Sequence, residues 1–433
     1  MPAPQSETHN GLPISWTRSM VLAMVLAAVL FAASAGSAFA QKGPSSQTSA
    51  AIDPDAISFN EGLQPMIDRL SAQGSTTEEE VFTLAGAQFL RGVENALQTR
   101  YRYGATQGML GLALMQLGLP ANPEPEPFSG AVLETLFSDV DAQMDAARET
   151  LGSLGIVTTF TVPVDVSSIW FDIDADGTRS DAESLPAVMA GLFGGRRAGE
   201  ALEAFGSAPV VDFDQSDAAW LTAYTHVLSA TANLVLALQP ADIIDEVFAE
   251  GAALDARFAG ERNRMLGGET RAIDTIVAWI LVLEQVPLAE NTSAAREHML
   301  ALVAENRVFW DAVATETDQR REWIPSPTQT SALPITFPGE IGPAWLAVLD
   351  DLEALLEGRL LAPHWRLGGA GATHGINIAT FLEEPQSTDI LGLIQGRGVL
   401  FAVEEGPVIS DDNWQAFRTL VGRGGSFFPF LLN

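Results

Sequence analysis

The stretch DIDADGTRSDAE, at residues 172–183, has the residue types and the spacing that bind a hard divalent cation. Calcium takes about six to eight oxygen ligands, and alternate residues of a tight loop supply them if the chain turns sharply midway. Asp172, Asp174 and Asp176 occupy the first, third and fifth positions of such a loop, and Gly177 stands at the sixth, where the backbone must turn. The expected ion is Ca²⁺.

The complete spacing D-x-D-x-D-G-x₅-E resembles the EF-hand calcium loop at every ligand position. The resemblance implies that Glu183, at the twelfth position, closes the site with both carboxylate oxygens. The implied metal ligands are Asp172, Asp174, Asp176, the carbonyl of Thr178, Ser180 (directly or through water) and Glu183. The alternative is a solvated Asp-Gly turn, which acidic proteins also form.

Two departures from the EF-hand pattern favour a structural calcium clip over a sensor. The eighth position is Arg179, where paired EF-hands place an apolar residue, and no second D-x-D-x-D-G occurs. The lead-in VPVDVSSIWF is extended rather than helical. The loop is therefore similar to dockerin-type bacterial loops, with an exit helix that carries Glu183 in its first turn and an ion that holds Trp170 and Phe171 against the fold.

A second acidic stretch, VDFDQSD at residues 211–217, is open to two interpretations. Asp212, Asp214 and Asp217 either add to a metal site or mark the end of a strand followed by a helix cap, with Ser216 or Asp217 as the cap.

The histidines and the glycine-rich segment predict no catalytic site. His226, His298, His364 and His374 form no H-E-x-x-H, no pair is four residues apart, and G-x-S-x-G is absent. RLGGAGATHG, at 366–375, lacks the G-K-[ST] of a phosphate loop, so the role of His374 stays open. The catalytic residues are unknown, and a non-enzymatic protein is the expectation. A periplasmic hydrolase with structural calcium and a helical partner-binding scaffold are the alternatives.

The composition excludes some partners. The 433 residues contain 55 Asp and Glu against 23 Lys and Arg, which gives a net charge of −32. Such a field repels nucleic acids and anionic membrane surfaces and attracts cations. The chain contains no cysteine, so no disulfide supports the fold.

The N-terminus predicts export. Arg18 precedes an apolar stretch that ends in Ala38-Phe39-Ala40, an A-x-A cleavage pattern, so residues 1–40 are interpreted as a signal peptide and Gln41 as the mature start. A retained anchor helix is the alternative, but the strongly apolar core, residues 20–32, is short for a span of about 20 residues. The expected location is periplasmic or secreted, with a flexible leader at 41–58.

Hydrophobic periodicity predicts a mainly α, multi-helix globular fold for residues 59–433. Helices are expected from Thr76, with a Thr76–Glu79 capping box, and from Ala131 to Leu151, and then over much of the chain after residue 216. Two short β-strands, at 156–166 and 209–214, should flank the acidic loop. The irregular stretch 318–341 is where the helical part would divide.

Overall fold

The computed structural model describes residues 55–105, 113–155, 159–192, 210–257, 269–317, 321–332, 336–387, 390–422 and 428–432. The predicted signal peptide and residues 41–54 of the leader lie outside them. In the described part helix far outweighs strand, which confirms the predicted mainly α fold.

The described part of the chain contains α-helices along its whole length. They are α1 (Leu63–Gln73), α2 (Glu78–Arg102), α3 (Ala113–Gln116), α4 (Gly130–Leu151), α5 (Leu185–Ala190), α6 (Gln215–Ala237), α7 (Ala241–Arg257), α8 (Glu269–Leu283), α9 (Ala289–Val313), α10 (Ile341–Leu356), α11 (Ile378–Glu383), α12 (Ile390–Gln395), α13 (Asp412–Val421) and α14 (Phe428–Leu432). Short 3₁₀ helices span Val166–Ser168, Asp181–Glu183, Trp365–Ala372 and Arg397–Ala402.

The described strands form two antiparallel, two-stranded sheets. Strand β1 (Thr161–Asp165) pairs with β2 (Val210–Asp214), and β3 (His374–Ile376) pairs with β4 (Val403–Glu405). The first pair lies where the sequence predicts strands on either side of the acidic loop, although residues 156–158 and 209 are outside the described part. Pro163 accepts a hydrogen bond from the Ile57 N–H at 2.7 Å, on the edge away from β2. Its missing N–H therefore interrupts no bond between β1 and β2.

The helix starts differ from the predicted caps by one or two residues. Thr77, not Thr76, caps α2, and its capping-box partner is Glu80. Asp214, rather than Ser216 or Asp217, caps α6: its carboxylate accepts from the Ser216 N–H at 2.8 Å. Neighbouring Ser, Thr and Asp residues are almost equivalent caps, so the exact start depends on the preceding chain.

The core forms between long helices. Helix α2 packs on α4, α4 packs on α6, and α6 packs on α9. The apolar positions predicted for α4, among them Leu133, Leu136 and Met144, are buried. Helix α1, which the sequence analysis missed, buries Leu63 and Met66 against α2. No single described helix is both long and apolar enough to cross a membrane, and only α6 and α7 taken together, bent by 61°, meet those criteria.

The C-terminal segment docks into this core. Phe428, Leu431 and Leu432 are buried, and the indole N–H of Trp220 on α6 donates to the Leu431 carbonyl at 3.0 Å. The last described residues therefore pack beside α6.

Candidate metal centre

The acidic loop begins against helix α2. The Glu94 carboxylate accepts the Asp172 N–H at 2.7 Å, and the Gln98 amide donates to the Asp172 carbonyl at 2.6 Å. Burial raises the pKa of the Glu94 carboxyl, while the Asp172 N–H and the ion pair with Arg91 oppose that rise. Helix α2 therefore positions the first predicted ligand, a role that the sequence analysis did not assign. A glutamate on the buried face of a predicted helix is the signal that would have found it.

Within the loop, successive N–H groups are bonded to the aspartates that precede them. Gly177 donates to Asp172 at 3.1 Å, Asp176 to Asp174 at 3.2 Å, and Thr178 to Asp176 at 2.6 Å. Gly177 has a φ of 73°, the left-handed region that favours glycine. A Cβ there would meet nothing within 4 Å. The expectation of a sharp turn is confirmed, and the reason for glycine is its backbone conformation.

These turns bring three carboxylates together. Asp172, Asp174 and Asp176 each place an oxygen within 4.8 Å of the others. Calcium–oxygen distances are about 2.3–2.6 Å, so ligand oxygens around one ion lie up to about 5 Å apart. Three carboxylates at this spacing repel one another, and a cation between them removes that repulsion. Asp174 and Asp176 are exposed, so the group is open to solvent.

Glu183 occupies a different place from the aspartates. It is only 1% exposed and accepts N–H groups from Ile173 and Ser180, both at 2.9 Å. Its carboxylate therefore links the start of the loop, at Ile173, to its end, at Ser180. Glu183 is not among the three carboxylates that converge. Oε2 accepts the Ser180 N–H and keeps a second lone pair, so this role is compatible with a metal ligand. Thr178 and Ser180 lie on the exposed returning limb.

Arg179, at the eighth position, holds the loop to its lead-in. Its guanidinium donates to the Ser167 carbonyl at 3.0 Å and lies 3.4 Å from the Asn60 side-chain oxygen. Trp170 and Phe171, which precede the loop, are buried, and the Trp170 indole N–H donates to the Phe59 carbonyl at 3.1 Å. The loop is thus bonded to the lead-in as well as to α2.

The second acidic stretch divides into two roles. Asp212 pairs with Arg321, with 2.7 Å between oxygen and nitrogen, whereas Asp214 joins Glu316 and Glu322 in a group with oxygens within 4.8 Å. Asp217 lies beside this group and accepts the Asp214 N–H at 3.0 Å. Asp214 ends β2 and caps α6, and Asp217 is its capping-box partner. The two glutamates were not predicted because they lie about a hundred residues away along the chain.

Asp217 is buried close to three other carboxylates. Burial, and then the charges of Asp214, Glu316 and Glu322, raise the pKa of its carboxyl well above its ordinary value. Because the folded protein keeps this proton to higher pH than the unfolded chain, stability falls as the pH rises from the ordinary aspartate value through the folded pKa.

Asp217→Asn is therefore expected to raise the melting temperature at neutral pH and to change it little near about pH 4, where the carboxyl is protonated in the folded protein. The amide oxygen still accepts the Asp214 N–H, and no charge is buried. Melting curves of both proteins between about pH 4 and pH 8 measure the effect. A difference that does not change with pH would contradict it.

Two histidines meet although the sequence does not pair them. His226 on α6 and His298 on α9 have their Nδ1 atoms 2.8 Å apart. Burial, helped by the Arg148 guanidinium, lowers the pKa of both, to about 3 for His226. Both rings are therefore neutral at pH 7, and one donates its proton to the other. Packing of α6 on α9 creates the pair, which is why spacing along the chain could not reveal it.

The glycine-rich segment forms a 3₁₀ helix and the strand β3 rather than a phosphate loop. His364 caps that helix by accepting the Arg366 N–H at 3.2 Å. His374 lies in β3, and its Nδ1 is 2.9 Å from the Thr373 hydroxyl. Among the described residues, His374 belongs to no group of potential metal ligands.

No protein-family model, no curated protein and no solved structure matches this chain. The likeness to EF-hand loops therefore remains a resemblance over twelve residues.

Proposed function

We propose that this protein binds one Ca²⁺ ion in the loop 172–183, as a structural clip. The observation that carries the proposal is the group formed by Asp172, Asp174 and Asp176, whose oxygens lie within 4.8 Å of one another on a loop bonded to α2. Thr178, Ser180 and Glu183 are the further proposed ligands. The net charge of −32 also concentrates cations around the molecule.

Calcium suits this loop better than magnesium. Mg²⁺ requires a smaller, near-ideal octahedron and loses water reluctantly, whereas Ca²⁺ accepts flexible carboxylate cages. The proposed affinity is about 10⁻⁴–10⁻³ M, the range of extracellular calcium modules. Such an affinity suits an exported protein, because calcium is abundant outside the cytoplasm.

A structural role is favoured over a switch. A calcium sensor moves a pair of helices around its loop. Here β1 and the 3₁₀ helix Val166–Ser168 lead into the loop, and Asp181–Glu183 and α5 follow it. Bound calcium would hold these elements together beside α2 and fix the buried Trp170 and Phe171.

Calcium is expected to raise the melting temperature. A ligand that binds only the folded state stabilises by about 2.7 kcal/mol at a hundredfold excess over Kd. For a chain of this size the expected rise is about 3 °C at most for one cooperative transition. Differential scanning calorimetry of the calcium-stripped protein with increasing CaCl₂ measures it.

Asp174→Asn is the variant that tests the site, because asparagine retains an oxygen for the Asp176 N–H but removes one of the three charges. It should abolish most of the calcium-dependent rise. Asp181→Asn is the matched control, since Asp181 is exposed and outside the carboxylate group. An equal rise in both variants would place the ion elsewhere.

Export is the second part of the proposal and is supported by the sequence pattern of residues 1–40. Intact-mass analysis of the protein made by a bacterial host is expected to give a chain that begins at Gln41. A chain that retains residues 20–32 would contradict an exported, cleaved protein.

A further inference from the structure

A cavity of about 260 Å³ lies between α2, α6 and the β1–β2 pair. Gly86, Phe89 and Val93 line it from α2, and Tyr224 and Leu228 line it from α6. We propose that this cavity is a binding site for an uncharged, largely hydrocarbon small molecule. The inference goes beyond the proposed calcium site.

The wall of the cavity offers hydrocarbon and almost no polar surface. Two of the polar side chains on it are bonded within the protein: the Thr83 hydroxyl donates to the Glu79 carbonyl at 2.6 Å, and the Trp220 indole to the Leu431 carbonyl at 3.0 Å. The lining therefore offers a ligand's polar atoms almost nothing to replace the hydrogen bonds that they make with water. The part of the ligand that is enclosed must therefore be apolar.

The size of the cavity favours an occupant. An apolar cavity of about 150 Å³ stays dry and binds benzene, and this cavity is larger. An empty cavity lowers stability in proportion to its volume, because the lining atoms lose their packing partners. A hydrocarbon chain or ring system restores those contacts.

Acidic residues that are adjacent along the chain to lining residues would disfavour an anionic ligand. Phe171 and Phe213 line it, and each is followed directly by an acidic residue, Asp172 and Asp214. Asp214 also belongs to the group with Glu316 and Glu322. A carboxylate head group, as in a fatty acid, would meet this negative field. An aliphatic alcohol or an aromatic hydrocarbon would not.

Gly86 gives a direct way to fill the cavity. It lies in the interior of α2, where glycine is unfavourable, and a Cβ built on it meets nothing within 4 Å. Gly86→Leu places a side chain in the cavity, and Gly86→Ala supplies the same relief of the helix with little filling. The pair therefore separates occupancy of the cavity from helix propensity.

The test uses the neutral fluorescent dye N-phenylnaphthylamine with the full mature chain. The dye should bind the wild type and Gly86→Ala. Gly86→Leu should raise the Kd of the dye by about tenfold or more. Val93→Phe, a second cavity-filling change, should weaken it as well. Decanol should displace the dye at lower concentration than decanoate.

A control separates the cavity from exposed apolar surface. Ile276 on α8 is 60% exposed, and Ile276→Gln should leave dye binding unchanged. The proposal is overturned if the wild type does not bind the dye, if both filling variants bind it as tightly as Gly86→Ala, if Ile276→Gln removes the binding, or if decanoate displaces it as well as decanol.

Discussion

Glu183→Ala is expected to lower the free energy of unfolding by about 1–3 kcal/mol in the absence of calcium and to abolish calcium binding. The carboxylate is 1% exposed and accepts the N–H groups of Ile173 and Ser180 at 2.9 Å, with the Asp174 N–H at 3.5 Å. Alanine leaves the buried Ile173 N–H without an acceptor, which costs about 1–3 kcal/mol, whereas Asp174 and Ser180 are exposed and water can replace the acceptor there. Urea unfolding followed by tryptophan fluorescence measures the loss.

Two further variants show whether the acceptor or the charge is responsible. Glu183→Gln keeps one acceptor oxygen, but its NH₂ group must face the N–H of either Ile173 or Ser180. This variant should therefore lose about half as much stability as the alanine variant. Asp181→Ala removes a carboxylate from the same 3₁₀ turn, but from an exposed position, and should leave the unfolding midpoint unchanged. Equal midpoints for the two alanine variants would refute the fastening role of Glu183.

Arg100→Met is the second change with a large expected effect. Arg100 is completely buried, and its guanidinium donates to the carbonyls of Leu114, Met115 and Leu117 at 3.0–3.2 Å and of Ala105 at 3.3 Å. Burial lowers its pKa to about 10, so it is still charged at pH 7. It therefore binds the end of α2 to the chain around α3.

Methionine has a similar length but no donor, so the buried carbonyls lose their partners, at an expected cost of about 3–4 kcal/mol. Arg100→Lys should recover only part of this loss, because an ammonium cannot reproduce the planar fork of donors. Arg102→Met is the control: Arg102 is exposed and pairs with Glu126 at the surface. Urea unfolding should separate Arg100→Met clearly from the control, and similar midpoints for the two would contradict the argument.

The local features of the fold were predictable from the sequence because they depend on neighbouring residues. The apolar spacing of Leu133, Leu136 and Met144 corresponds to the buried face of α4. Alternation around residue 162 corresponds to β1, and the glycine at 177 corresponds to a left-handed turn. Each of these signals acts within one helical turn, one strand or one loop.

Contacts between distant segments were not predictable in this way. Glu94 meets Asp172, Asp214 meets Glu316, and His226 meets His298 only because helices and strands pack together. The apolar cavity has the same origin, since its lining residues look like ordinary core positions in α2 and α6. Such contacts depend on how the elements pack together, and the residue spacing within a single element does not show that packing.

Isothermal titration of the calcium-stripped protein with CaCl₂ tests the central claim most directly. The predicted result is saturable heat for one Ca²⁺ per chain with a Kd of about 10⁻⁴–10⁻³ M, together with poor competition by MgCl₂. Asp174→Asn should lose this heat and Asp181→Asn should keep it. Absence of binding heat in the wild type up to about 5 mM CaCl₂, beyond that affinity range, would contradict the account and leave residues 172–183 as a solvated acidic turn.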